Sequence, residues 1–104
     1  MAQVVWSFQA IADLESIAEY IAKDSEFYAA AFVQEALEAG RSLESLFNRG
    51  RIVPELRKKT IRELFVKEYR LIYHIEAARI TVIGIIHMRR LARKIVRGRV
   101  VGHK

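Results

Sequence analysis

Cysteine is absent from the 104 residues, which removes disulfides, zinc–thiolate sites and cysteine nucleophiles together and fits a reducing compartment. Long apolar runs are absent too. The longest, Ile80 to Ile86, is interrupted by Thr81 and Gly84 and is far too short to span a bilayer. The first residues, Met1-Ala2-Gln3-Val4-Val5-Trp6, have no basic segment followed by an apolar stretch, so no signal peptide is expected. The three histidines, at positions 74, 87 and 103, lack metal-ligand spacing, and neither a metal site nor a cofactor is expected. There is no phosphate-binding glycine-rich loop, no serine-nucleophile motif and no internal repeat. These absences describe a soluble, cytoplasmic protein with no membrane partner, long enough for one core to support folding.

Acidic residues are scarce in one part of the chain only. Residues 1–48 carry two basic and eight acidic side chains, a net of −6, whereas residues 49–104 carry sixteen basic and four acidic, a net of +12. The overall charge of +6 therefore conceals a dipolar molecule, and two surfaces of opposite sign imply two kinds of partner. The cationic part leaves nucleic acid, an acidic protein segment or an anionic surface open as ligands.

Hydrophobic periodicity gives the elements. Gln3 to Trp6 is a short strand candidate, and Ser7 is placed to cap a helix. Ile11, Leu14, Ala18 and Ile21 recur at spacings of three and four, which predicts a helix ending near Asp24. Asp24 or Ser25 then caps a second helix, whose stripe of Ala29, Phe32, Val33, Ala36, Leu43 and Phe47 predicts helix to about residue 47. The short junction makes the two an antiparallel hairpin. Gly40, inside the second helix, reads either as tolerated flexibility or as a close approach of the two helix backbones. Gly50 suits the position just past the helix end, and Arg51 to Lys59, with the only proline at Pro54, reads as an irregular loop.

Strand-type residues fill Ile61 to Arg90. In Tyr69-Arg70-Leu71-Ile72-Tyr73-His74-Ile75 the alternation places Tyr69, Leu71, Tyr73 and Ile75 against the hairpin and turns Arg70, Ile72 and His74 outward. Ile80 to His87 is apolar on both faces, which marks an interior strand. Lys67-Glu68 and Glu76-Ala77-Ala78 read as hairpin turns. The order β-α-α-β-β-β predicts an α+β, two-layer domain over residues 1–90, with the helical hairpin on one face of a small, mainly antiparallel sheet. Residues 91–104 read as a basic C-terminal tail, with a short helix that frays.

This ordered set of features resembles the RelE/ParE superfamily of toxin–antitoxin toxins. The resemblance rests on Trp6, Asp13-Leu14 and Tyr20-Ile21-Ala22-Lys23-Asp24. It continues in Gly50-Arg51-x-Val53-Pro54-Glu55, Ile61-Arg62-Glu63-Leu64, Tyr69-Arg70-Leu71-Ile72-Tyr73 and His87-x-Arg89-Arg90. One branch of the superfamily cleaves mRNA in the ribosomal A site, and the other, ParE-like, poisons DNA gyrase. The long hairpin, the Gly-Arg-x-Val-Pro-Glu element and the His-x-Arg-Arg ending resemble the second. Many ribosome-dependent members carry a tyrosine near the end of the chain, and none follows Tyr73 here. The resemblance also implies a small acidic antitoxin that folds on binding and forms a hetero-oligomer with the toxin.

Three functions compete on these residues. A gyrase inhibitor needs a binding surface, for which Arg51, Arg57, Lys58, Lys59, Arg62, Arg70, Arg89, Arg90 and Arg93 are the candidates. The antitoxin is expected along the hairpin groove and the basic sheet edge, at Leu14, Ile21, Phe32, Leu43, Arg62 and Arg70. A metal-independent mRNA endonuclease acting with the ribosome needs a base, cations and an acid, which Glu55, Arg62, Arg70 and His87 supply on paper. The third function is a basic nucleic-acid-binding domain that relies on its tail. Against these stand structural roles: Arg70 paired with Glu63, Glu55 paired with Arg51 or Arg57, and Tyr69 and Tyr73 as core aromatics.

Overall fold

The computed structural model describes residues 2–100. Ser7 and Ser25 each accept a hydrogen bond from the backbone N–H three residues on, at 3.1 Å, and so start α1 (Phe8–Ala22) and α2 (Glu26–Ser42). The second helix stops short of the predicted residue 47. Its 17 residues give a length of about 25 Å. Leu43, wholly buried in the core, caps the helix, and the chain turns through Ser45.

Five strands form one sheet in the order β1-β5-β4-β3-β2. They are β1 (Gln3–Trp6), β2 (Arg51–Ile52), β3 (Ile61–Val66), β4 (Tyr69–Ile75) and β5 (Arg79–His87). β3, β4 and β5 are the expected antiparallel meander, and β5 is interior because β1 pairs with it in parallel. The two-residue β2, inside the predicted loop, pairs antiparallel with β3. Among the described residues no helix is long and apolar enough to cross a membrane.

Two hydrophobic clusters flank this sheet. The larger places Leu14, Phe32, Ala36 and Leu43 of the hairpin against Leu64, Val66, Leu71, Tyr73, Val82 and Ile85. The second lies on the other face and joins Val53, Ile61, Ile72, Ile83 and Ile86 to Ala92 and Val96. Ala92 and Val96 belong to the segment predicted to be a tail. The short helix expected there is α3 (Arg93–Arg99), and it packs on the sheet face which the alternation of β4 left apolar at Ile72. The expectation of an open outward face is therefore overturned: Arg70 and His74 are buried. The last four residues of the expected tail, 101–104, lie outside the described residues.

Two glycines mark close approaches. A Cβ on Gly40 would sit 3.1 Å from the Trp6 indole, so the ring of β1, not the partner helix backbone, explains this glycine. A Cβ on Gly50 would fall 2.5 Å from the Glu63 carbonyl oxygen and 2.7 Å from the Tyr73 hydroxyl. That hydroxyl accepts from the Gly50 N–H and donates to the Phe47 carbonyl, each at 2.9 Å, and thereby fixes the exit from the hairpin onto the sheet.

Candidate functional site

Arg70 lies at the centre of the far face. Its position on β4, directly opposite Phe65 on β3 and Ile86 on β5, surrounds it with sheet on both sides. An arginine there needs partners. Its Nε donates to Glu63 Oε1 at 2.6 Å, and Nη1 and Nη2 donate to Glu55 Oε2 and Oε1 at 2.9 and 2.7 Å. Nη1 also donates to the Arg90 carbonyl at 2.7 Å. The predicted pairing with Glu63 is present, and the two-point pairing with Glu55 is added to it; Glu55 pairs with neither Arg51 nor Arg57.

Each acid is itself shared. Glu63, with no exposed side-chain surface, takes a second arginine, Arg51, whose Nε donates to Oε2 at 2.6 Å. The Arg51 guanidinium then lies 5.0 Å from the Phe65 ring centroid, a cation–π distance. Glu55 Oε2 also accepts from the Ala92 N–H at 2.9 Å, at the entry to α3. The Arg70 hydrogen bonds, with the Ala92 N–H adding to them, hold the Glu55 carboxyl down from 4.5 to about 2. A carboxylate so tightly held is a weak proton acceptor at neutral pH.

The proposed endonuclease set does not converge. Arg70, Glu55 and Glu63 share the α3 face, whereas His87 lies with Tyr69 on the hairpin face, ring centroids 5.6 Å apart. The His87 Nδ1 accepts from the Arg89 N–H at 3.2 Å. Arg62, opposite Tyr73 in the register, is half-buried and donates to the carbonyls of Lys59 and Gly50, each at 3.0 Å. The sheet thus separates the candidate acid from the candidate base and from Arg70.

The binding candidates divide as well. Arg57, Lys58, Lys59, Arg89, Arg90 and Arg93 are exposed, as is Arg51, while Arg62 is half-buried and Arg70 is sealed. Lys58 and Arg93 meet across a cleft between the 55–61 segment and α3. Arg90 instead borders a groove with Tyr69, His87 and Ser16 beside α1. Of the apolar antitoxin candidates, Leu14, Phe32 and Leu43 are core residues, so they offer no surface; Ile21 is half-buried. The hairpin nevertheless carries exposed apolar side chains that its single stripe did not reveal, with Phe8 at 90 % and Phe27 at 76 % exposure and Tyr20, Tyr28 and Leu37 also outward. Their signal in the sequence is a surplus of aromatics beyond what one core-facing stripe uses.

A further relationship was missed because it joins residues distant in the chain. β1 covers β5 only as far as Val82, so the rest of that strand has a free edge. Asp13 of α1 accepts there from the Ile85 N–H at 3.0 Å, and Arg99 of α3 donates to the Ile83 carbonyl at 2.9 Å. The two side chains pair with each other at 2.6 Å. They satisfy the backbone groups that a neighbouring strand would otherwise take. Ile83 is also the residue that the β4–β5 register skips. Gly84 leaves the space, since a Cβ there would lie 2.6 Å from Arg99 Nη1.

Residues 4–92 match the family described as the ParE toxin of the type II toxin-antitoxin system, parDE. The chain belongs to the ParE toxin family. This ParE-family chain is also 36% identical over 92 residues, covering 88% of its own length and 100% of the relative's, to Toxin RelE2 of Caulobacter vibrioides (strain ATCC 19089 / CIP 103742 / CB 15). Its fold matches that of a chain from the chromosomal ParDE TA system of P. aeruginosa, with a TM-score of 0.70 and 22% identity over 86% of this chain and 98% of that one. The RelE/ParE-like α+β fold expected from the motifs is the fold observed. α3 lies beyond the residues that the family match spans.

Proposed function

We propose that this ParE-family toxin acts in the cytoplasm by inhibiting DNA gyrase, through binding rather than catalysis, and that a small acidic antitoxin neutralises it. The observation that carries this reading is the separation of the nuclease candidates onto two sheet faces, with Arg70 and Glu55 spent on each other. An inhibitor by binding needs no converging acid and base. It needs exposed cations, which Arg51, Arg57, Lys58, Lys59, Arg89, Arg90 and Arg93 supply. The antitoxin contact rests on the outward apolar side chains of the hairpin, Phe8, Phe27 and Leu37 among them, in place of the buried Leu14, Phe32 and Leu43. Supercoiling by purified gyrase is expected to fall on addition of the protein, with a trapped cleavage complex. Full supercoiling activity at excess toxin would overturn the proposal.

The name of the Caulobacter relative, a RelE toxin, favours a second reading: an mRNA endonuclease acting on the ribosome. Incubation with ribosomes programmed with a defined message separates the two. The gyrase reading expects intact message, and cleavage at the A-site codon would establish the second.

A further inference from the structure

We propose that the cleft between the 55–61 segment and α3 is a docking site for an acidic protein segment whose carboxylates alternate with aliphatic side chains. The cleft has a volume of about 370 Å³, at the small end of ligand-sized cavities. The aliphatic surface it offers comes from the half-buried Leu56 and Val100, laid over the buried Ile61 and Val96, and its rim is cationic, from Lys58 on one wall and Arg93 and Arg97 on the other. Arg93 and Arg97 stand four residues apart on α3 and therefore point the same way.

The charge balance of this cleft is one-sided. Its single acid, Glu55, has both carboxylate oxygens turned to Arg70 and the Ala92 N–H. Arg93 donates one N–H to the Glu55 backbone carbonyl at 3.4 Å, which holds the guanidinium at the mouth of the cleft with its charge uncompensated. No carboxylate pairs with Lys58, Arg93 or Arg97 among the described residues, and residues 88–104 contain no acid. Cations held around an apolar floor steer an acidic segment in, and the floor then takes up its aliphatic side chains. A nucleic acid fits less well. No aromatic side chain lines the cleft, so no base is stacked, and the aliphatic floor adds nothing to phosphate binding.

The experiment uses the full chain and three labelled probes read by fluorescence anisotropy: a ten-residue peptide of glutamate, aspartate and leucine, the same peptide with serine for leucine, and a single-stranded thymidine ten-mer. The leucine peptide is expected to bind most tightly and to shift the methyl NMR signals of Leu56, Ile61 and Val96. Arg93→Glu with Arg97→Glu should weaken it about tenfold or more, while the amide spectrum confirms that α3 remains folded. Leu56→Ser should weaken the leucine peptide several-fold and leave the serine peptide unchanged. Equal binding of both peptides, tighter binding of the oligonucleotide, methyl shifts confined to the hairpin, or no binding at millimolar peptide would each overturn the proposal. So would self-association of the protein alone that the double substitution abolishes, because the occupant would then be a second copy. These readouts involve neither gyrase nor ribosomes, so their failure is distinct from failure of the target assignment.

Discussion

The guanidinium of Arg70 meets the carboxylate of Glu55 at two points, 2.9 and 2.7 Å, and the same carboxylate receives the N–H that leads into α3. One ion pair therefore ties the middle of β4 to the segment after β2 and to the start of the last helix. The arginine that the motif pattern offered first as a functional cation is a structural hub.

Arg70→Ala should unfold or strongly destabilise the protein, because it leaves the buried Glu63 with only the exposed Arg51 and the half-buried Glu55 without its two-point partner. A cost of about 3–5 kcal/mol is expected for breaking such a buried cluster. Urea denaturation followed by circular dichroism measures it. An unchanged midpoint, with growth inhibition lost, would assign Arg70 to the target surface instead.

The pH dependence follows from Glu55. Its folded-state value of about 2 lies below the ordinary 4.5, so the folded protein binds its proton less tightly than the unfolded chain does. The resulting stability is complete above about pH 4.5 and is lost as the pH falls toward 2. Its size is about 3 kcal/mol. Stability curves of the native chain and Glu55→Gln should differ most at neutral pH and converge near pH 2, which parallel denaturant titrations test.

Tyr73→Phe removes the hydroxyl that accepts from Gly50 and donates to Phe47. The buried Gly50 N–H then has no partner, at a cost of about 1–3 kcal/mol. Gly50→Ala should cost more, since its Cβ meets a backbone oxygen that cannot rotate away. Thermal unfolding should rank the three proteins native, Tyr73→Phe, Gly50→Ala.

Asp13→Asn and Arg99→Ala should act locally. Each opens the pairing at the free edge of β5, and both side chains are partly solvated, so the global cost should be modest, about 1–2 kcal/mol. Amide hydrogen exchange should accelerate at Ile85 and through α3, with β3 and β4 little affected. A uniform acceleration would show that α3 opens only with global unfolding.

Local patterns in the sequence were sufficient for most of the fold. Ser7 and Ser25 announced the helix starts, the period-two run from Tyr69 gave the strand facing, and the double-sided apolar run after Ile80 gave the interior strand. What escaped depends on distance along the chain. Ile72 looked outward because nothing in its neighbourhood shows that Ala92 and Val96 return to cover it. Seven basic residues after position 87, with no acid among them, read as a short helix fraying into a tail, because their few apolar positions gave only weak helical spacing and no sign that the helix packs on the sheet. Leu14, Phe32 and Leu43 were correctly placed on the hairpin stripe, but the stripe faces the sheet, and no partner surface follows from it. The candidate site was least visible where it depends on which carboxylate claims which cation. Arg70 and Lys58 are alike as letters in the sequence and differ only in whether an acid folds onto them.

The parallel pairing of Gln3 with Arg79 has a consequence during synthesis. β1 leaves the ribosome before β5 and has no place in the sheet until that strand has followed it, and the pair that closes the free edge, Asp13 with Arg99, spans 86 positions. Long-range closure of this kind comes late in folding. A copy cut short before its final quarter has no strand to receive β1, and that unpaired strand should be open to proteolysis.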